Sequence, residues 1–316
     1  MTPPVLERLP SGSRIVVIRL RSLGDCVLTT PALALLKAYR RDLLVAVVVE
    51  DRFRPVFEGN PDIDEILAPS VGEIRRWQPR LTLNLHGGTR SMILAAASGS
   101  GLRLGFGHHR HSFLYSAKIP RAQEILNEER PVHTAEHIAS AMFWMGVPRK
   151  EIPRARLMAG ETAPFGHGSG SGMSQTVVQY GILHPFASLP SKTWGASRFL
   201  EVAAHMRDCG IDPVFVAGPD DDVSAFRDFR VIRGAPLAEV KSLMAGAQIF
   251  IGNDSGPAHI AAAFGVPVVA LFGASNPVTW APWRTEARVL TSPLGIDAIE
   301  TREVIAAIES LKKVRA

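Results

Sequence analysis

What most constrains this chain is a rhythm of short apolar runs separated by longer segments with helical spacing, played through twice. Arg14–Leu20 (RIVVIRL) and Leu43–Glu50 (LLVAVVVE) are apolar and β-branched with almost no alternation, the pattern of strands buried on both faces. Asp64–Leu67 and Leu81–Leu85 continue the series. Between them Arg52–Glu58, Val71–Trp77 and Arg90–Ala97 read as helices, and His133–Met145 as a longer one. A helix is expected from about Thr30 to Arg40, with Thr30 as N-cap and Pro31 at the first helical position. The rhythm restarts with strand candidates Thr176–Leu183, Pro213–Ala217, Val231–Arg233, Ala247–Ile251, Pro267–Phe272 and Arg288–Leu290. Helix candidates alternate with them at Ala196–Cys209, Asp222–Phe229, Leu237–Ala245 and Ser255–Phe264, and Thr301–Val314 forms an amphipathic C-terminal helix. Strands alternating with helices predict α/β domains with doubly wound parallel sheets.

The two series are separated by Gly160–Ser174 (GETAPFGHGSGSGMS), which has no periodicity and reads as a connector. The expected organisation is an N-terminal domain over residues 1–160, a Gly/Ser-rich connector over 161–175 and a C-terminal domain over 176–316. Open α/β sheets in series place a ligand cleft at the carboxyl ends of their strands. The net charge of +5 favours anionic partners, but no run of five or six basic residues occurs and aromatics are only 7%, which argues against a nucleic-acid groove. Cys26 and Cys209 lie far apart, suiting neither a disulfide framework nor a zinc site, and fit a reducing cytosol. The N-terminus lacks the apolar core of a signal peptide and no apolar run is long enough to span a membrane, so membrane contact is expected to be peripheral.

Three segments carry chemistry. Arg21-Ser-Leu-Gly-Asp25 follows the first strand: Gly24 permits close backbone approach to a ligand, and Asp25 is placed either to act as a general base or to cap the next helix. Gly252-Asn-Asp-Ser-Gly-Pro-Ala-His259 leads from a strand into an apolar helix, whose N-terminus at Ser255 and Gly256 suits a diphosphate. His259 shares a face with Ser255 and can donate to a phosphate oxygen, and Asp254 can hold sugar hydroxyls; a capped helix with a satisfied histidine is the competing reading. In His184-Pro-Phe-Ala-Ser-Leu-Pro-Ser-Lys-Thr-Trp194, Lys192 can neutralise a leaving diphosphate and Ser188 can bond the phosphates, against a reading of Lys192 as merely solvated. Gly87-Gly-Thr-Arg90 and the stretch holding Arg103, His108, His109, Arg110 and His111 read as acceptor-side features, the latter an exposed basic loop rather than a metal site. No dinucleotide fingerprint follows any strand and no phosphate-binding P-loop occurs, which removes support for a nicotinamide dehydrogenase or a P-loop nucleotidase.

The stretches Arg14–Lys37, Gly59–Leu67, His184–Trp194, Val214–Asp222 and Phe250–Pro277 resemble, in order, glycosyltransferase family 9, the family of the ADP-heptose:lipopolysaccharide heptosyltransferases. The resemblance implies the GT-B fold, two Rossmann-like domains facing across a cleft, and an inverting, metal-independent transfer with no resident cofactor. It implies Asp25 as the base and Lys192 as the group that stabilises the leaving diphosphate. Ser188, Asp221, Asp254, Ser255, Gly256 and His259 would bind the donor, expected to be ADP-heptose. Gly24, Arg90, Arg103 and Arg110 would lie on the acceptor side, toward an acidic glycolipid (the lipid A–Kdo inner core) at the cytoplasmic face of the inner membrane. Asn84 stands where many relatives carry Asp, and Asp221 where many carry Glu. Alternatives are a family 9 transferase with another sugar or acceptor, a sugar-nucleotide epimerase, and a non-catalytic binder; no convincing extra acid/base set supports the epimerase.

Overall fold

The computed structural model describes residues 4–160 and 179–313. The chain divides into two units, Met1–Met158 and Ala159–Ala316. The connector expected over 161–175 lies outside the described residues.

In the first unit the strands are β1 (Arg14–Ile18), β2 (Leu44–Val48), β3 (Glu65–Leu67), β4 (Leu81–Asn84), β5 (Leu102–Phe106) and β6 (Ala117–Ile119). The helices are α1 (Leu23–Tyr39), α2 (Val71–Trp77), α3 (Thr89–Ala96), α4 (Ala122–Leu126) and α5 (Thr134–Met145). The sheet order is β3-β2-β1-β4-β5-β6, every pairing parallel. Val16, Ile18, Ala46 and Val48 are fully buried and pack with Ile74, Leu94 and Ala95 from α2 and α3.

In the second unit the strands are β7 (Tyr180–His184), β8 (Asp212–Ala217), β9 (Arg230–Arg233), β10 (Phe250–Asn253), β11 (Val268–Phe272) and β12 (Ala287–Thr291). The helices are α6 (Ala196–Asp208), α7 (Leu237–Ala245), α8 (Gly256–Ala263), α9 (Pro277–Trp280) and α10 (Thr301–Lys313). The order β12-β11-β10-β7-β8-β9 is again all parallel. Each sheet therefore reverses direction once, between β1 and β4 and between β7 and β10, and ligands bind at the carboxyl ends of the strands at such switch points.

Three expectations fail in instructive ways. Helix α1 begins at Leu23, not Thr30, so Pro31 sits inside it. Proline cannot supply the N–H that Val27 O would accept, and the Thr30 hydroxyl donates to that carbonyl instead, at 2.8 Å. The helix expected over Asp222–Phe229 is only a 3-10 turn, Ser224–Phe226, built on i,i+3 bonds. Residues Arg52–Glu58 likewise form a 3-10 turn, Asp51–Val56. Strands β5 and β6 carry no apolar run in the sequence, being short and interrupted by Arg103, Gly105 and Lys118. Gly105 is needed there, since a Cβ would lie 2.2 Å from the Tyr115 ring. Among the described residues no helix is long and apolar enough to cross a membrane.

Candidate functional site

Asp25 occupies the first turn of α1, just past the carboxyl end of β1. Its carboxylate bonds to side chains rather than capping the helix. Oδ1 meets Arg19 Nη1 at 3.4 Å and Oδ2 accepts from Ser22 Oγ at 3.1 Å. The Asp25 side chain keeps 25% exposure while Arg19 is buried at 7%. Burial lowers the Arg19 pKa, opposed by the charge of Asp25. Gly24, beside Asp25, is buried in the same turn.

The strand-to-helix turn after β4 closes over the same edge of the sheet. Asn84 is fully buried; its Oδ1 accepts from His86 N and Gly87 N, and its Nδ2 donates to Ser91 Oγ. An aspartate has no N–H to offer Ser91, so asparagine bonds this turn from both ends of its amide. Arg90, at the start of α3, is exposed and lies 3.5 Å from Glu50. Gly87, at φ +79°, allows the His109 ring to approach to where a Cβ would lie 2.6 Å away.

A histidine group the sequence did not reveal lies on this side of the unit. The His137 ring stacks on Phe106, with centroids 4.2 Å apart, and lies 5.5 Å from His108. His109 Nδ1 shares a hydrogen bond with Tyr115 Oη at 2.8 Å. Burial pushes His109 and His137 down to about 4, with neighbouring histidines and Arg19 adding to the effect. Burial also lowers His86 and His108. The stretch expected to be a basic loop therefore owes less charge to His108 and His109 than its composition suggests, although Arg110 is exposed there. Arg103 is elsewhere: it lies near the start of β5 and donates to the carbonyls of Leu114 and Ser100.

In the second unit Lys192 and Asp254 meet. Lys192 Nζ lies 3.1 Å from Asp254 Oδ2, with side-chain exposures of 25% and 9%. Lys192 ends a 3-10 turn, Pro190–Lys192, that follows β7, and Asp254 follows β10. Asn253 fixes their spacing: fully buried, it accepts from Trp194 N and donates to Pro185 O. Gly273 completes the fit, because a Cβ there would stand 2.0 Å from Ser191 O. Ser255 is the N-cap of α8, and among the described residues its buried hydroxyl has no hydrogen-bond partner. Gly256 and Pro257 open α8, leaving its first-turn N–H groups at the positive end of the helix dipole. His259 is buried one turn on, its ring 6.4 Å from that of Trp280. Ser188 is exposed on the loop before Lys192. Asp221 bonds back within its own loop, its Oδ2 accepting from Gly218 N at 2.7 Å after β8.

The arrangement offers a partly exposed carboxylate in one unit and, in the other, a cation beside a helix N-terminus with an unbonded hydroxyl. Such a pair of sites can accept a proton and receive an anion.

Comparison with known proteins gives this geometry a context. A model of the family described as glycosyltransferase family 9 (heptosyltransferase) matches residues 73–303. Lipopolysaccharide heptosyltransferase 3 of Escherichia coli is 25% identical over 296 residues, covering 82% of this chain and 83% of that protein. The glycosyl transferase family 9 structure from Veillonella parvula superposes with a TM-score of 0.81 at 24% identity, covering 95% of this chain and 97% of that one. The E. coli ADP-heptose lps heptosyltransferase II structure gives 0.78 at 21%, covering 96% and 100%. The α/β GT-B class expected from the sequence is thus the observed fold.

Proposed function

The chain belongs to glycosyltransferase family 9, and on that premise we propose that it moves heptose from ADP-heptose to the inner core of lipopolysaccharide with inversion at the anomeric carbon. The observation that carries the reading is the Asp25 carboxylate, held by two side chains, partly exposed and not used as a helix cap.

In this mechanism Asp25 takes the proton of an acceptor hydroxyl as its oxygen attacks the anomeric carbon. Arg19 and Ser22 set the carboxylate's orientation, as geometry must come first for a general base. The bond to the diphosphate breaks on the opposite face. Lys192, the N–H groups at the start of α8 and the Ser255 hydroxyl receive the charge that develops there. Asp254 holds Lys192 in place before the donor arrives and then shares it with the diphosphate. Asp221 and Ser188 lie on the donor side, His259 backs the anion site, and Gly24, Arg90 and Arg110 shape the acceptor side. The step uses no metal ion and no resident cofactor. The acceptor is an acidic glycolipid met by peripheral contact at the cytoplasmic face of the inner membrane.

The test is release of ADP by the purified chain given ADP-heptose and a Kdo–lipid A acceptor. Release that requires both substrates supports the reading. Release only with another nucleotide sugar moves the protein to a different donor, and silence with every donor, together with no donor binding in a titration, defeats it.

A further inference from the structure

Helix α6 carries His205, Cys209 follows one turn on at its C-cap, and Glu309 of α10 comes to meet them. His205 Nε2 lies 3.1 Å from Glu309 Oε1, Cys209 Sγ lies 3.6 Å from His205 Nε2, and Cys209 Sγ lies 3.8 Å from Glu309 Oε1. These three separations are close to the edges of a tetrahedron around zinc. Bond lengths of about 2.3 Å to sulfur and about 2.0 Å to nitrogen and oxygen set such edges at about 3.3 Å between N and O and about 3.5 Å from S to either. An ordinary His–Glu ion pair needs only the first distance; here the thiol, one turn from His205 and donating to Glu309, adds a third donor atom within tetrahedral reach of both.

We propose that His205, Cys209 and Glu309 bind a divalent transition-metal cation of the zinc type, with solvent as the fourth ligand. Imidazole and thiolate together select a borderline-soft ion over magnesium or calcium. On binding, the Cys209 thiol gives its proton to solvent and a sulfur–metal bond forms. Both cysteines are free, and a site that joins Cys209 to a glutamate 100 residues away cannot be seen in the spacing of the cysteines.

The site is remote from the residues assigned above to donor binding. Lys192 and the start of α6 lie on the connection leaving the carboxyl end of β7, whereas Cys209 follows the last turn of α6, just before β8 begins. The two helices run side by side in the same direction: Arg198 near the start of α6 donates to the carbonyls of Asp297 and Ile299 just before α10, and His205 meets Glu309 farther along. A bound cation would pin the far ends of this pair together, a structural site rather than a catalytic one.

Cobalt(II) is the probe, titrated into the metal-stripped full chain and read by the thiolate-to-cobalt charge-transfer band, with zinc then added in competition. Cys26 is fully buried, so the band reports Cys209. The expected result is one equivalent of cobalt bound with that band, displaced by zinc, a raised Tm with zinc, and at least a ~10-fold loss of affinity in Cys209→Ser and Glu309→Gln, in keeping with the strong dependence of metal sites on each ligand. Absence of the band at saturating cobalt, or its survival in Cys209→Ser, overturns the proposal. A second measurement avoids the variants altogether: zinc should slow alkylation of Cys209 in the native chain by at least ~10-fold, and an unchanged rate overturns it equally.

Discussion

Asp25 shows how far single residues can be read. Its position after a strand fits a base or a cap, two roles with the same spacing, and the contacts of its oxygens with Arg19 and Ser22 remove the cap. Asp25→Asn is expected to lower turnover by about 10²–10⁴ with donor affinity unchanged, measured by ADP release and by calorimetry. The sequence suggests Lys192 and Asp254 separately as donor-side candidates, but not as partners, since 62 positions separate them. The pairing changes what a mutation reports. Lys192→Ala leaves a nearly buried carboxylate uncompensated, which costs stability as well as donor affinity. Adding Asp254→Asn should restore Tm while donor binding stays weak; recovery of both would assign Lys192 a purely structural part. Gly273→Ala should weaken the donor site without touching it, by displacing the Ser191 backbone next to Lys192; an unchanged donor Kd would contradict this. Asn253 is hidden in the sequence because its partners, Pro185 and Trp194, are 68 and 59 positions away, whereas Arg19 meets Asp25 only six positions on and is masked by its place at the end of an apolar run.

At the scale of elements, long apolar runs were legible and short interrupted ones were not. Strands β1, β2 and β11 declare themselves through unbroken burial, whereas β5 is disguised by an arginine and a glycine whose reasons lie in the tertiary contacts of Leu114, Ser100 and Tyr115. Thr30-Pro31 is a good helix beginning in isolation and so predicts a start of α1 there, but the chain runs the helix through it. Thr30 makes that possible: its hydroxyl donates to Val27 O and accepts from Arg156 N. Thr30→Val should therefore cost about 1–3 kcal/mol, seen as a lower midpoint in urea at unchanged m-value. Thr29→Val is the control and should cost less, since the Asp25 carbonyl that its hydroxyl bonds also receives the ordinary helical N–H.

Across the whole molecule, the sequence announced two α/β units but not their strand order, because order depends on which edges pair and periodicity carries no such information. Electrostatics at this scale yields a pH prediction for the first unit. His109 and His137 titrate near 4 when folded and near 6.5 when unfolded, so between these values the unfolded chain binds more protons. Stability should thus be full above about pH 6.5 and fall as pH drops toward 4, by at most about 1.4 kcal/mol per pH unit for each group. His137→Phe should flatten that slope in chemical denaturation at stepped pH, and an unchanged slope would refute the assignment. The strand orders have a consequence of their own. Read from its first strand, each sheet follows the same path, with a buried asparagine closing the fourth strand in both, Asn84 in one and Asn253 in the other. The connection after the first strand leads to a carboxylate in one copy, Asp25, and to an ammonium in the other, Lys192. The same topology, used twice, thus presents opposite charge at corresponding turns; under the proposed reaction each reactant has a unit of its own, and selection could retune the preference for one without disturbing the other.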